Sequence, residues 1–200
     1  MRILLVNLVG LAMAMSVTAL EPTTQRRATT KPGLGDARAP VTFTGGYDTD
    51  PRDHGRPVIL VASALGVTAD VFRDAFSHVT PAADGRAPEP EQVRKNKRAL
   101  LDALSKYGVT NDRLDEVSNQ YRYRPGHGEL WRHTPAAAVA TVRSGVVVAI
   151  TVTDPGSGYT TPPTVSVPGA KVNATATLAF GKDFKTNGSI KEIALEGGAR

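Results

Sequence analysis

The chain has 200 residues, 40% hydrophobic and 22% charged, a balance that belongs to a folded soluble protein and excludes a collagen, a coiled coil and a multi-pass membrane protein. It contains no cysteine, which excludes a disulfide framework, thiolate zinc sites, iron–sulfur clusters and a cysteine nucleophile. The net charge of +5 is spread as +1, +1, +1 and +2 over residues 1–20, 21–57, 58–133 and 134–200, so no segment carries the concentrated basic face of a nucleic-acid binder, and no nucleic-acid partner is expected.

Arg2 precedes an uncharged run from Ile3 to Leu20, and Val17-Thr18-Ala19 places small residues where a signal peptidase cuts. Residues 1–19 therefore read as a signal peptide cleaved after Ala19, which predicts a secreted, periplasmic or cell-surface protein. A retained anchor is the competing reading, because a membrane span needs about 17–25 apolar residues. With cleavage no stable membrane span is expected. Residues 20–57 are rich in Thr, Pro, Gly and Arg without an apolar period, and predict a flexible, disordered leader with at most a short extended piece at Val41-Thr42-Phe43. Asp48, Asp50 and Asp53 invite a calcium loop. The third acid falls one residue late, and the position that should hold a bidentate Glu is Ile59, so a solvated acidic turn pinning Arg52 or Arg56 is expected instead.

Helical periodicity runs from 58 to 123. Val58 to Leu65 is apolar almost all round and predicts a buried helix stopped by Gly66. Thr68 caps a second helix with Phe72, Phe76 and Val79 on one face. Pro81 to Pro90 reads as a loop. A third helix opens at Glu91 with Val93, Leu100, Leu101, Leu104 and Tyr107 inward, closed by Gly108; Thr110 caps a fourth with Leu114, Val117 and Tyr121 at helical spacing. Ser63-Ala64-Leu65-Gly66-Val67-Thr68-Ala69-Asp70 and Ser105-Lys106-Tyr107-Gly108-Val109-Thr110-Asn111-Asp112 agree at Ser, Gly, Val, Thr and Asp with an offset of 42 residues. The same stop, buried Val and Thr cap used twice predict two helical hairpins forming a four-helix module. A helix-turn-helix DNA-binding protein shares this outline, but Asn111 to Gln120 holds three acids and one Arg and makes a poor recognition helix.

From Ala136 the period becomes two. Ala136 to Val142 and Val146 to Val152 flank Arg143-Ser144-Gly145 as a hairpin; Thr164 to Val167, a run with Val172, Ala174, Ala176, Leu178 and Phe180 on one face, and, after a turn at Asn187-Gly188, Ser189 to Leu195 follow as strands. Gly145 to Val152 reappears as Gly188 to Leu195 with an offset of 43, giving about one and a half units of a β-repeat module over 136–200. Asp154-Pro155-Gly156-Ser157-Gly158-Tyr159-Thr160-Thr161-Pro162-Pro163-Thr164-Val165 resembles the Gly-Ser-Gly-Tyr-x-x-Pro-Pro-x-Val repeats of bacterial secreted and cell-surface proteins and of some phage tail-fibre proteins. That resemblance implies a structural or adhesive β-module and brings no catalytic residues.

The junction, 124–135, is the densest polar and aromatic stretch. Tyr121, Tyr123, Arg124 and Trp131 are the candidate binding residues, since Tyr, Arg and Trp dominate contact surfaces; buried, Tyr123, Leu130 and Trp131 would instead join the helical and β modules. His127, Glu129 and His133 are the alternative, a metal-binding protein or metal-dependent enzyme, although Pro125, Gly126 and Gly128 deny them one regular helix. Gly156-Ser157-Gly158 falls short of a nucleophile elbow, and neighbouring Asp115 and Glu116 point to different helix faces. The expectation is an α+β chain, a four-helix unit followed by an antiparallel β unit behind the leader. It is expected to act as a non-catalytic interaction or structural module with no cofactor or metal and an unidentified protein or cell-envelope partner. A truncated repeat also leaves an edge strand open to self-association.

Overall fold

The computed structural model describes residues 35–80, 89–122 and 128–196. The expected signal peptide, Tyr123, Arg124 and His127 lie outside them. Among the described residues the secondary structure is α+β. Helix α1 (Val58–Leu65) has no polar face to turn to water, so Leu60, Ala62 and Ala64 are all fully buried. Gly66 stops it in the left-handed conformation, and the Thr68 hydroxyl accepts the amide of Val71 at 3.3 Å to start α2 (Ala69–Ser77). The copy of this junction behaves alike: α3 (Pro90–Leu104) tightens into a 3-10 turn at Ser105–Tyr107, Gly108 stops it, and Thr110 accepts the amide of Arg113 at 3.2 Å to start α4 (Asn111–Gln120).

Two inward assignments on α3 are corrected. Tyr107 is 46% exposed, because the change from 3.6 to three residues per turn rotates it outward, where the Lys106 ammonium lies 5.2 Å from its ring centre as a cation–π pair. Val93 is 45% exposed in the first turns of α3, where fully buried contact is confined to Leu104 at the opposite end.

The β part consists of short antiparallel ladders. Strands β3 (Ala137–Arg143) and β4 (Val146–Asp154) form the expected hairpin around Ser144 and Gly145, and β1 (Ala37–Pro40) adds to the other edge of β3, giving the order β1-β3-β4. Strand β2 (Thr42–Thr44) pairs with β5 (Thr164–Ser166), Phe43 opposite Val165, and β6 (Ala174–Ala179) pairs with β7 (Ser189–Leu195). Strand β1 corrects the flexible leader over 37–40, and β2 falls on the extended piece expected at Val41-Thr42-Phe43, one residue further on. Small Ala39 stands opposite fully buried Ala140, and the Asp36 carboxylate takes two hydrogen bonds from Arg143 at 2.8 and 2.9 Å. Phe180, expected in line with Ala176, lies one residue past the end of β6 and is 40% exposed, while Ala176 within the strand is buried.

The expected helical and β modules do not stand apart. Trp131, in the expected junction, and the helices share one apolar core, with Tyr47 and Phe184 packed against it. A second, smaller cluster of Ala140, Val147 and Val167 fills the space beneath the three-stranded sheet. Polar ties cross between the parts. Arg113 of α4 donates to the carbonyls of Ala64 and Lys182, and its guanidinium lies 4.5 Å over the Phe184 ring. Units this small bury too little apolar surface alone, and sharing a core offsets that.

Candidate functional site

The segment 154–163 is the hub between these parts. Tyr159 is 2% exposed, stacks on Tyr47 with ring centres 5.2 Å apart, and its hydroxyl accepts the amide of Ala136 at 2.9 Å. Trp131 is equally buried; its indole N–H donates to the Gly158 carbonyl at 2.8 Å, which satisfies the one polar atom of that side chain. The Gly158 and Tyr159 amides donate to the carbonyls of Asn187 and Gly188, both at 2.9 Å, and the amides of Thr160 and Thr161 converge on the Gly46 carbonyl. The Gly-Ser-Gly-Tyr motif thus meets the segment at Thr134 through Ser157 and the Asn187-Gly188 turn through Gly158 and Tyr159. Burial, with Tyr159 next in effect, pushes the Tyr47 phenol well above its ordinary range; burial also raises Tyr121, against the opposing Asn187 hydrogen bond.

The contact strip expected of Tyr121 and Trp131 is not a surface. Tyr121 is 4% exposed and its hydroxyl accepts from Asn187 at 2.8 Å, while Trp131 sits in the core, so both serve cohesion. Tyr123 and Arg124 lie outside the described residues. Leu130, expected to help join the modules, is 44% exposed. Asn187, expected as half of an Asn-Gly turn, is central. It is fully buried, its amide donates to Leu60 O and Tyr121 Oη at 2.8 Å each, and its carbonyl oxygen accepts the Gly181 amide at 3.1 Å.

A cleft of about 380 Å³ opens above the hub, lined among others by Gln120, Arg132, His133, Asp154, Ser157 and Lys185. It gathers a serine, a histidine and an aspartate, but not as a relay. His133 Nδ1 faces the Trp131 carbonyl at 2.9 Å, the Asp154 carboxylate accepts the Gly156 amide at 2.8 Å, and no hydrogen bond joins Ser157 to His133 among the described residues. Of the alternative metal ligands, Glu129 and His133 are exposed and His127 lies outside the described residues, among which no group of three or more His, Asp or Glu is placed to hold a metal ion.

The acidic turn is a clasp. Asp50 pins Arg52, as expected, at 2.7–3.0 Å; hydrogen bonds from Arg52, with Arg73 adding its charge, hold that carboxyl well below the usual carboxylate range. Asp53, expected in solvent, is 6% exposed and receives two hydrogen bonds at 2.8 Å from Arg73 of α2, which also reaches Asp70. The reason is the 3-10 turn at Pro51–Asp53, which swings Asp53 inward onto α2. Arg56 lies over the Phe76 ring at 5.1 Å. These charges satisfy one another and close residues 48–56 onto the helices.

The open feature is the outer edge of β4. Lys171 bridges to Val146 and exchanges hydrogen bonds with Gly145 and Val147, and Ile190 donates to the Pro155 carbonyl; between them, from Val148 to Asp154, no strand pairs with this edge among the described residues. Val146 and Val148 are 51% and 41% exposed there. No protein-family model, curated protein or solved structure matches the chain.

Proposed function

We propose that this chain is a secreted or cell-surface bacterial protein that works by binding, as an interaction and structural module, and that it engages its partner through the open edge of β4. The observation that carries this reading is the edge itself. A β-branched strand presenting unpaired amides and carbonyls is a template for strand addition, in which main-chain hydrogen bonds supply affinity and alternate side chains supply specificity. The signal-like run at 1–19 and the likeness of 154–165 to repeats of bacterial surface and phage fibre proteins support the same reading. The test is the intact mass of the chain recovered from separated cell fractions, together with amide exchange across 148–154. The expected results are a chain beginning at Leu20 outside the cytoplasm, and 148–154 amides that exchange quickly in dilute protein and slowly on the cell envelope. A cytosolic chain retaining Met1 overturns it.

A further inference from the structure

We infer that Asn187-Gly188 is a deamidation site that the fold holds shut, so that the pair reacts only when the chain unfolds and the product no longer fits its place. In an open chain the reaction needs no enzyme. A base takes the proton of the Gly188 amide, the nitrogen attacks Asn187 Cγ, and the Cγ–Nδ2 bond breaks with ammonia leaving. The succinimide ring then takes up water at one of its two carbonyls, which gives aspartate or, with the main chain rerouted through the side chain, isoaspartate. Glycine hinders this ring closure least, since it has no Cβ beside the attacking nitrogen and the freest backbone. Asn187 is the one asparagine of the chain that precedes a glycine; the others, at 7, 96, 111, 119 and 173, precede Leu, Lys, Asp, Gln and Ala.

In the folded chain every polar atom of the pair is engaged. The attacking nitrogen is tied, because the Gly188 amide donates to the Ala179 carbonyl at 2.8 Å. The leaving group is tied as well: Nδ2 spends both its hydrogens on Leu60 O and Tyr121 Oη, while Oδ1 holds the Gly181 amide. On the main chain, the Asn187 amide donates to the Asp183 carbonyl, and the Asn187 and Gly188 carbonyls accept from Gly158 and Tyr159, all at 2.9 Å. Cyclisation must swing Cγ onto the Gly188 nitrogen and break the side-chain bonds together, in a fully buried place where Gly188 already lies against Tyr159 and Leu60. Because these bonds run to α1, to the end of α4 and to the 154–163 hub, they release only when those parts separate. Either product puts a carboxylate where an amide donated to Leu60 O, and isoaspartate also lengthens the main chain beside a glycine that has no room for one more carbon. An excursion to the unfolded state thus leaves a permanent mark that weakens the return.

The test ages the full chain in mild alkali, in buffer and across a guanidinium chloride series, and follows by peptide mass spectrometry the change from amide to acid at each asparagine. In full denaturant, residue 187 is expected to react ahead of every other asparagine. In buffer its rate is expected to fall by more than about a hundredfold, and between these limits to climb with denaturant in step with the unfolded fraction. Chains that carry the change, separated by ion exchange, are expected to unfold at a lower guanidinium concentration than unmodified chains or to fail to refold. Protection of less than a hundredfold, or a rate indifferent to denaturant up to the unfolding midpoint, means that the turn opens by itself and overturns the inference. A modified chain with the native midpoint overturns it too, as does a residue 187 that lags another asparagine in the open chain.

Discussion

Asn187 shows how much one side chain can hold together. It ties the turn before β7 to the main chain of α1 and to the end of α4, three segments far apart in sequence. Asn187→Ala leaves Leu60 O and the Tyr121 hydroxyl without that partner in a buried place, and is expected to cost about 2–4 kcal/mol in urea unfolding. Asn187→Asp keeps the shape but sets a carboxylate oxygen against the Leu60 carbonyl, so it is expected to destabilise more than Ala at neutral pH and to recover in mild acid, where the carboxyl is protonated and donates again. Gly188, its neighbour, has φ +69° and no room: a Cβ there would press on the Tyr159 carbonyl oxygen and come within 2.7 Å of Leu60 Cδ2. The Asn-Gly pair was legible as a turn because both residues tolerate positive φ; that it is also a joint was not, because nothing local in the sequence tells a turn which distant carbonyl it will meet.

At the scale of elements, the duplicated helix junctions are alike in backbone and unlike in surroundings. Gly66 lies under the Lys182 side chain, whereas a Cβ on Gly108 would meet nothing. Both hold φ near +80°, so Gly108→Ala should cost about 1 kcal/mol for the left-handed backbone, and Gly66→Ala more, since Lys182 must also move. Thermal melts of the two variants side by side check the order. The clasp offers a second comparison. Removing Asp53 leaves the guanidinium of Arg73, a group only partly open to water, with Asp50 and Asp70 alone; Asp53→Ala should cost about 2–3 kcal/mol, and Asp70→Ala, whose carboxylate is 85% exposed, less than 1 kcal/mol. Helices and the later strands were readable because their apolar residues repeat at 3.6 or at two over enough length to outvote exceptions. Strand β1 was not, and of β2 only an extended piece at 41–43 was: Ala-Arg-Ala-Pro and Thr-Phe-Thr are too short for a period, and their stability comes from partners on β3 and β5. Asp53 was misjudged for a similar reason, since its partner Arg73 lies 20 residues away on another element.

For the whole molecule, the buried aromatic hub predicts how stability changes with alkali. The phenols of Tyr47 and Tyr121 both titrate above their ordinary value of 10.0 in the folded chain, so the folded state favours the protonated ring. That contribution is complete below pH 10 and is lost as the pH rises from there toward the folded values, so melting temperature should fall steeply in that range. Tyr47→Phe, which keeps the stacking on Tyr159 but removes the titrating group, is expected to flatten the fall; an unchanged slope would show that Tyr47 does not couple ionisation to folding. The α+β class was legible from the periods of the two halves, and Trp131 was already a candidate joint between them; the parts played by Asn187 and Arg113 were not legible, because they look like turn and surface residues until their partners are known.

The pairing of β1 with β3 also sets the order in which the chain can be finished. The Asp36–Arg143 ion pair closes a separation of 107 residues, and β2 waits for β5, further along still. A ribosome releases the first strands long before their partners exist, and the helices between them, built on nearer contacts, can settle in the meantime. The earliest stretch of the described fold is therefore the one that stays extended longest, and its docking onto the sheet is a late event that depends on nearly the whole chain having been made.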